Sequence, residues 1–272
     1  MCLIVFAYKM HSDYPLIFAG NRDEIYGRPT KDAMIWHTEP KMVAGQDLKA
    51  GGTWAGINEN GRFSAITNFR DIKNIRAAAP SRGQIVKDSL LTREPIAVYM
   101  EELNKKATLY NGFNLLTGSA DELYWLNSVR QEVKELEPGI YGLSNAYLDT
   151  PWPKLTASKQ AFELTFYDNL FEPDPYFNIL LDPTTYSHDL PDTGLSPEME
   201  KAVSATFIQT PNYGTRCSTF IRIHRNGTFL FEERTYRPGS SETNSRTVVE
   251  GDTGKKELKV VSASDAPGSL RL

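Results

Sequence analysis

Apolar residues in the first third of the chain come in short runs at strand-like spacing, not at the 3.6-residue period of helices. Leu3-Ile4-Val5-Phe6-Ala7-Tyr8 is unbroken and predicts a buried strand over 2–8. Residues 15–20 predict a partner, joined to it by a hairpin around His11-Ser12-Asp13. Residues 53–57 and 62–68 flank Asn58-Glu59-Asn60-Gly61, and Asn-Gly signals a hairpin in which both turn positions take φ > 0. The period then lengthens. Ser81 is placed to cap a helix through Leu91, and Pro95 to open one through Lys106. Strands return at 112–118, 122–127, 130–136 and 139–144, and helices at 152–167, 174–181 and 197–207. Residues 217–224 and 228–236 make a final hairpin about Asn226-Gly227. This order predicts an α+β protein of two antiparallel sheets with helices segregated outside them, rather than alternating βαβ units.

After Pro238 the composition shifts to Ser, Thr, Gly, Asp and Lys. Residues 239–257 therefore read as a mobile loop or tail, and 258–261 as one edge strand, leaving a principal domain over 1–238. A length of 272 residues with 40% hydrophobic content supports a sizeable core. No apolar stretch approaches the ~18 residues of a membrane span, and residues 2–8 lack the flanks of a secretory signal. The expected location is cytoplasmic, or an organelle reached by a signal not legible here. A net charge of −4 leaves no basic field for nucleic acid. Two cysteines and four scattered histidines form neither a disulfide framework nor a metal-ligand pattern, and no phosphate-binding glycine motif is present.

Candidate chemistry begins at Cys2. Methionine is usually trimmed before a small residue, so the mature chain is expected to begin with Cys2. A thiol and a free α-amine on one residue can act as nucleophile and base. The bland alternative is a small buried residue opening an edge strand. Asn21-Arg22-Asp23-Glu24 ends the second strand. It reads either as a solvated turn or, because antiparallel pairing returns that end to the start of the first strand, as a polar cluster beside Cys2. Alternation puts Asn21 with Asp23 on one face and Arg22 with Glu24 on the other. A carboxylate there could orient the amine, and a guanidinium could favour the thiolate. Trp54 reads as a core or pocket-rim aromatic, and Cys217 as a buried apolar residue.

Met1-Cys2, Asn21-Arg22-Asp23-Glu24, Arg28-Pro29, Gly51-Gly52-Thr53-Trp54, Thr67-Asn68-Phe69-Arg70 and Gly142-Leu143-Ser144-Asn145 together resemble the NRDE family, whose eukaryotic members are called transport and Golgi organization protein 2. The resemblance runs from Met1 to about Arg237. A more distant resemblance, through Gly56-Ile57-Asn58-Glu59-Asn60-Gly61, Asn68, Asn145 and Arg216, is to N-terminal-nucleophile hydrolases of the bile-salt hydrolase and penicillin V acylase group. That group implies a four-layer αββα sandwich and cleavage of linear amides. It implies Cys2 as nucleophile, Asp23 orienting its amine, Asn68 and Asn145 as oxyanion donors, and Arg216 tuning the local field. Asn21, Arg22, Glu24 and Trp54 are supporting candidates. The group's Arg–Asp spacing differs from that in Gly20-Asn21-Arg22-Asp23, so Asp23 carries over well and Arg22 poorly.

Two functions are expected. One is hydrolysis of a non-peptide C–N bond in an apolar amide, with no cofactor. The other, implied by the family's links to haem trafficking and acyl-lipid metabolism, is a carrier holding haem or an acyl ligand in the same pocket. A scaffold in membrane traffic ranks last, since no basic amphipathic helix or lipidation signal supports it.

Overall fold

The computed structural model describes residues 2–168 and 171–265. Two seven-stranded antiparallel sheets lie face to face. The first has the order β10-β1-β2-β11-β12-β13-β14. Its strands are β1 (Cys2–Tyr8), β2 (Leu16–Ile25), β10 (Gly139–Leu143), β11 (Tyr213–Ile223), β12 (Thr228–Tyr236), β13 (Thr243–Asp252) and β14 (Glu257–Asp265). The second runs in chain order through β3 (Thr30–Trp36), β4 (Met42–Asp47), β5 (Ala55–Asn58), β6 (Phe63–Asn68), β7 (Phe113–Gly118), β8 (Leu123–Asn127) and β9 (Glu132–Glu135).

Alternation along the strands builds three apolar layers. Between the sheets, Ile4, Phe6 and Phe18 meet Ile57, Phe63 and Trp125, with the Phe18 and Phe63 rings 4.9 Å apart. The outer face of the second sheet offers Met42, Ile66 and Leu115 to α1 (Gly83–Leu91) and α2 (Ile96–Lys106). The outer face of the first offers Leu3, Val5, Ile17 and Phe220 to α3 (Pro153–Tyr167) and α4 (Pro173–Leu180). The result is the expected αββα sandwich, with α5 (Pro197–Ala202) beside the first sheet. Among the described residues, no helix is long and apolar enough to cross a membrane.

Three expectations change. Residues 239–257 are not a loose tail: β13 pairs with β12 from Thr228↔Asp252 to Tyr236↔Thr243, and β14 closes that edge. The buried positions of β13 include Ser245 and Thr247 beside Val248 and Val249, and the Ser245 hydroxyl meets that of Thr235 on β12 at 2.6 Å. Composition alone reads such a strand as loop. Residues 266–272 of the expected tail lie outside the described residues. Ser81 does not cap α1 with its side chain; Arg82 holds the cap position. In the two Asn-Gly hairpins only the glycines take positive φ (Gly61, 82°; Gly227, 88°), with Asn60 and Asn226 outside that region.

Candidate active site at the start of strand β1

Cys2 opens β1, and its register partner on β2 is Arg22. Cys2 therefore lies on the same face as Ile4, Phe6 and Tyr8, toward the second sheet, and Arg22 shares that face with Phe18. Asn21 and Asp23 fall on the opposite face, as alternation requires, but Asn21 is thereby carried away from the thiol. Its amide donates to the carbonyls of Leu180 (2.8 Å) and Thr206 (2.9 Å), and its Oδ1 accepts from Ser218 Oγ, 2.5 Å. Asn21 is a structural tie. Asp23 lines the cleft and pairs with Thr215 beside a bulge of β11, where the sheet register shifts between Thr215 and Cys217. Its backbone N–H is directed at the Cys2 sulfur, and its carboxylate accepts from Thr215 Oγ1 at 2.7 Å.

Cys2, Arg22, Asp23, Glu24, Trp54 and Asn68 line one open cleft of about 390 Å³. Arg22, carried over poorly by motif spacing, is directly opposite Cys2 and 6% exposed. Its guanidinium lies 4.3 Å from the Trp54 ring centroid, and Nη1 donates to Thr30 Oγ1 at 3.2 Å. Glu24 accepts from the Ile25 N–H and pairs with Arg28 at 3.7 Å.

The two expected oxyanion donors differ. Asn68 ends β6, half-buried, and lines the cleft. Asn145 is fully buried and absent from the lining; its Nδ2 donates to the Asn68 carbonyl at 2.8 Å. That bond ties Asn145 to the end of β6. Next to it, Ser144 Oγ donates to the Cys2 carbonyl at 3.2 Å. Arg216 is also outside the lining. Its Nη1 donates to the carbonyls of Ile25 (3.0 Å), Tyr26 (3.0 Å) and Arg28 (3.1 Å), which staples the turn between β2 and β3.

Sequence reasoning missed the opposite wall. Arg28, Asp47, Lys49, Thr53 and Arg82 line the cleft, with Arg28 Nη2 on Asp47 at 2.6 Å. Lys49, Arg22 and Arg82 form no ion pair with a carboxylate among the described residues. Arg82 brings its charge near Cys2 from the cap of α1. The legible signal was Gly51-Gly52. A Cβ on Gly52 would stand 2.3 Å from the Gly83 carbonyl carbon, so only glycine lets the start of α1 close on this turn.

Burial pushes the Cys2 thiol above its ordinary value. The Asp23 carboxylate adds to that shift, while the Asp23 N–H and the Arg22 guanidinium oppose it. Burial likewise raises the Asp23 carboxyl, against the pull of the chain's α-ammonium first and then of Lys154, the Thr215 hydroxyl and Arg70. The arrangement thus joins a shielded thiol, one carboxamide and four cations set against three carboxylates, with Arg28 paired to two of the three.

Residues 1–238 match the family described as Transport and Golgi organisation 2. The mouse protein "Transport and Golgi organization 2 homolog" is 34% identical over 256 residues, covering 86% of this chain and 92% of that one. The bovine "Transport and Golgi organization protein 2 homolog" is 34% identical over 273 residues, covering 92% and 98%. Among solved structures, a mutant of the conjugated bile acid hydrolase from Clostridium perfringens superposes with a TM-score of 0.52 at 10% identity, over 96% of this chain and 97% of that one. A second variant of that hydrolase gives 0.51 at 10% identity, over 100% and 99%. At that identity the likeness carries the fold, an N-terminal-nucleophile hydrolase fold, and no residue's role. The sequence similarity is much closer and spans nearly the whole chain: the chain belongs to the Transport and Golgi organisation 2 family.

Proposed function

We propose that this protein is an N-terminal-nucleophile amidohydrolase that uses Cys2 to cleave a non-peptide C–N bond in a substrate bearing an anionic group. The observation that carries this reading is the convergence of Cys2, Arg22, Asp23 and Asn68 on one open cleft. In a mature chain beginning at Cys2, the sulfur attacks the amide carbon and its own α-amine takes the thiol proton. Collapse of the tetrahedral adduct breaks the C–N bond, and the amine returns the proton to the departing nitrogen. Water then hydrolyses the thioester, releasing the acid and restoring the thiol. Asn68 donates to the oxyanion; one such donor contributes roughly 10²–10³ in rate. Asp23 orients the amine.

The lining redirects the expected substrate. Trp54 is present but no phenylalanine is, and Arg22, Lys49 and Arg82 suit a carboxylate, sulfonate or phosphate. On the inter-sheet side of Cys2 the void is only about 10 Å³, too small for an acyl chain. An apolar amide is therefore a poorer fit than a charged one. The test is a panel of amides with and without an anionic group, scored by amine release. Release from the anionic members, abolished by Cys2→Ala, is expected. No release from any member, in protein shown by mass to begin at Cys2, contradicts the reading.

A carrier is the second reading, and Asn145 favours it. With Asn145 outside the lining and one of its two amide N–H groups on the Asn68 carbonyl, a single carboxamide lines the cleft. The same cations would hold the charged head of haem or of an acyl ligand. Among the described residues no histidine lines the cleft, which leaves the Cys2 sulfur as its soft ligand. Haemin titration should then give a saturable Soret shift that Cys2→Ala removes. Absence of saturable binding counts against haem.

A further inference from the structure

Directly behind the cleft, on the helix-facing side of β2, lie four ionisable side chains, each more than nine-tenths buried. They are Asp23 (2% exposed), Lys154 (1%), Arg70 (6%) and Glu200 (5%). None but Asp23 belongs to the candidate site. Arg70, two residues beyond Asn68, is paired with Glu200 at 2.7 Å and lies 4.7 Å from the Trp152 ring. Those two charges cancel locally.

Lys154 stands in the first turn of α3, and its Nζ donates to the carbonyls of Val203 (2.9 Å) and Ala205 (3.4 Å). The same segment gives the Thr206 carbonyl to Asn21, two residues from Asp23 on the same face of β2. Lys154 and Asn21, the neighbour of Asp23 on that face, are therefore tied to one strip of backbone, which brings the ammonium to the side of β2 that carries Asp23. Among the described residues Lys154 forms no ion pair, so with Glu200 taken by Arg70 the remaining carboxylate of the cluster is Asp23. An uncompensated ammonium in so dry a place is costly.

We infer that Lys154 is a positioning residue for the Cys2 site: a buried counter-ion that keeps Asp23 ionised so that Asp23 can hold the α-amine of Cys2. The inference rests on the hydrolase reading for its purpose, but its test reads Asp23 itself and does not depend on turnover. The titratable and charged groups around Asp23 are the chain's α-ammonium, which acts on it most strongly, Cys2 on β1, Lys154 on α3, Arg70 beyond β6 and Tyr213 opening β11, with Glu200 of α5 against Arg70. Of these side chains, Lys154 and Arg70 favour the charged carboxylate, and Arg70 already has its own partner. In support, burial lowers the Lys154 ammonium to about 8, as expected of a lysine whose charge is only partly compensated.

The experiment is carboxyl ¹³C NMR of the full chain labelled at aspartate Cγ, with the Asp23 signal assigned by its loss in Asp23→Asn. Lys154→Met should raise the Asp23 midpoint by about 1 pH unit or more, the usual effect of losing a nearby opposite charge. Lys154→Arg should leave it near the wild-type value. A midpoint unchanged in Lys154→Met overturns the assignment, since a merely structural lysine would alter stability without moving that titration. Should Lys154→Met fail to fold, Lys154→Gln is titrated in the same way. An Asp23 midpoint left at the wild-type value there overturns the inference.

Discussion

A chain ending at Pro238 is expected to lose cooperative folding, although the family match stops at that residue. Removing residues 239–272 strips β13 and β14 from the first sheet and makes β12 its edge. The nine-residue ladder from Thr228↔Asp252 to Tyr236↔Thr243 is lost, and with it the burial given by Val248 and Val249. Glu232, whose side chain is fully buried, loses the Arg246 guanidinium that meets its Oε1 at 2.7 Å and its Oε2 at 2.9 Å, keeping only Arg234. A bared strand edge is also a template for association with other chains. Circular dichroism melts and gel filtration compare the two lengths. The shortened chain should aggregate or melt without a cooperative transition. A melt within about 5 °C of the full chain would show β13 and β14 to be an appendage after all.

Glu200→Gln should give the second-largest effect. The substitution keeps the size of the side chain and an acceptor for the Thr193 N–H, now at 3.0 Å, but leaves Arg70 charged and buried without its paired anion. Breaking a buried pair in this way costs about 3–5 kcal/mol, far more than deleting both partners. For a domain of this size that corresponds to a fall of roughly 6–15 °C in Tm. Arg70→Met with Glu200→Met should recover most of the loss. The damage also has a route to the cleft. The Arg70 N–H donates to the Asn145 carbonyl at 2.7 Å, and Asn145 in turn holds the Asn68 carbonyl. An unchanged Tm in Glu200→Gln would mean that Arg70 is already compensated in some other way.

The architecture was largely legible where apolar periodicity is strong. Residues 2–8 read directly as a strand, because continuous burial on both faces leaves little room for polar residues, and the hairpin at 217–236 reads from the Asn226-Gly227 turn between its two arms. β3 and β4 escaped notice. β3 carries Lys31 and Asp32 and a register shift between Lys31 and Met34, which breaks the two-residue period. β13 escaped for a different reason, its buried positions being partly hydroxyls. At the site, Cys2, Asp23 and Asn68 could be placed from strand pairing and motif order. Asn145 and Arg216 lie outside the cleft lining, and sequence cannot show that their N–H groups meet the carbonyls of Asn68 and of the turn after β2. Arg22 shows the same limit reversed: its motif spacing argued against it, while its register with Cys2 puts it at the thiol. Lys49 and Arg82 came from loops whose closeness depends on the Gly52–Gly83 contact, a fact of three dimensions.

Catalysis of this kind requires the first sulfur of the mature chain to act as a nucleophile with its own amine as base. The most direct measurement is mass spectrometry of the purified protein before and after exposure to an anionic activated amide. The expected result is an N-terminus at Cys2 and a transient acyl increment confined to the N-terminal peptide, absent from Cys2→Ala. A chain that begins at Cys2 and yet never acquires that increment would contradict the hydrolase reading.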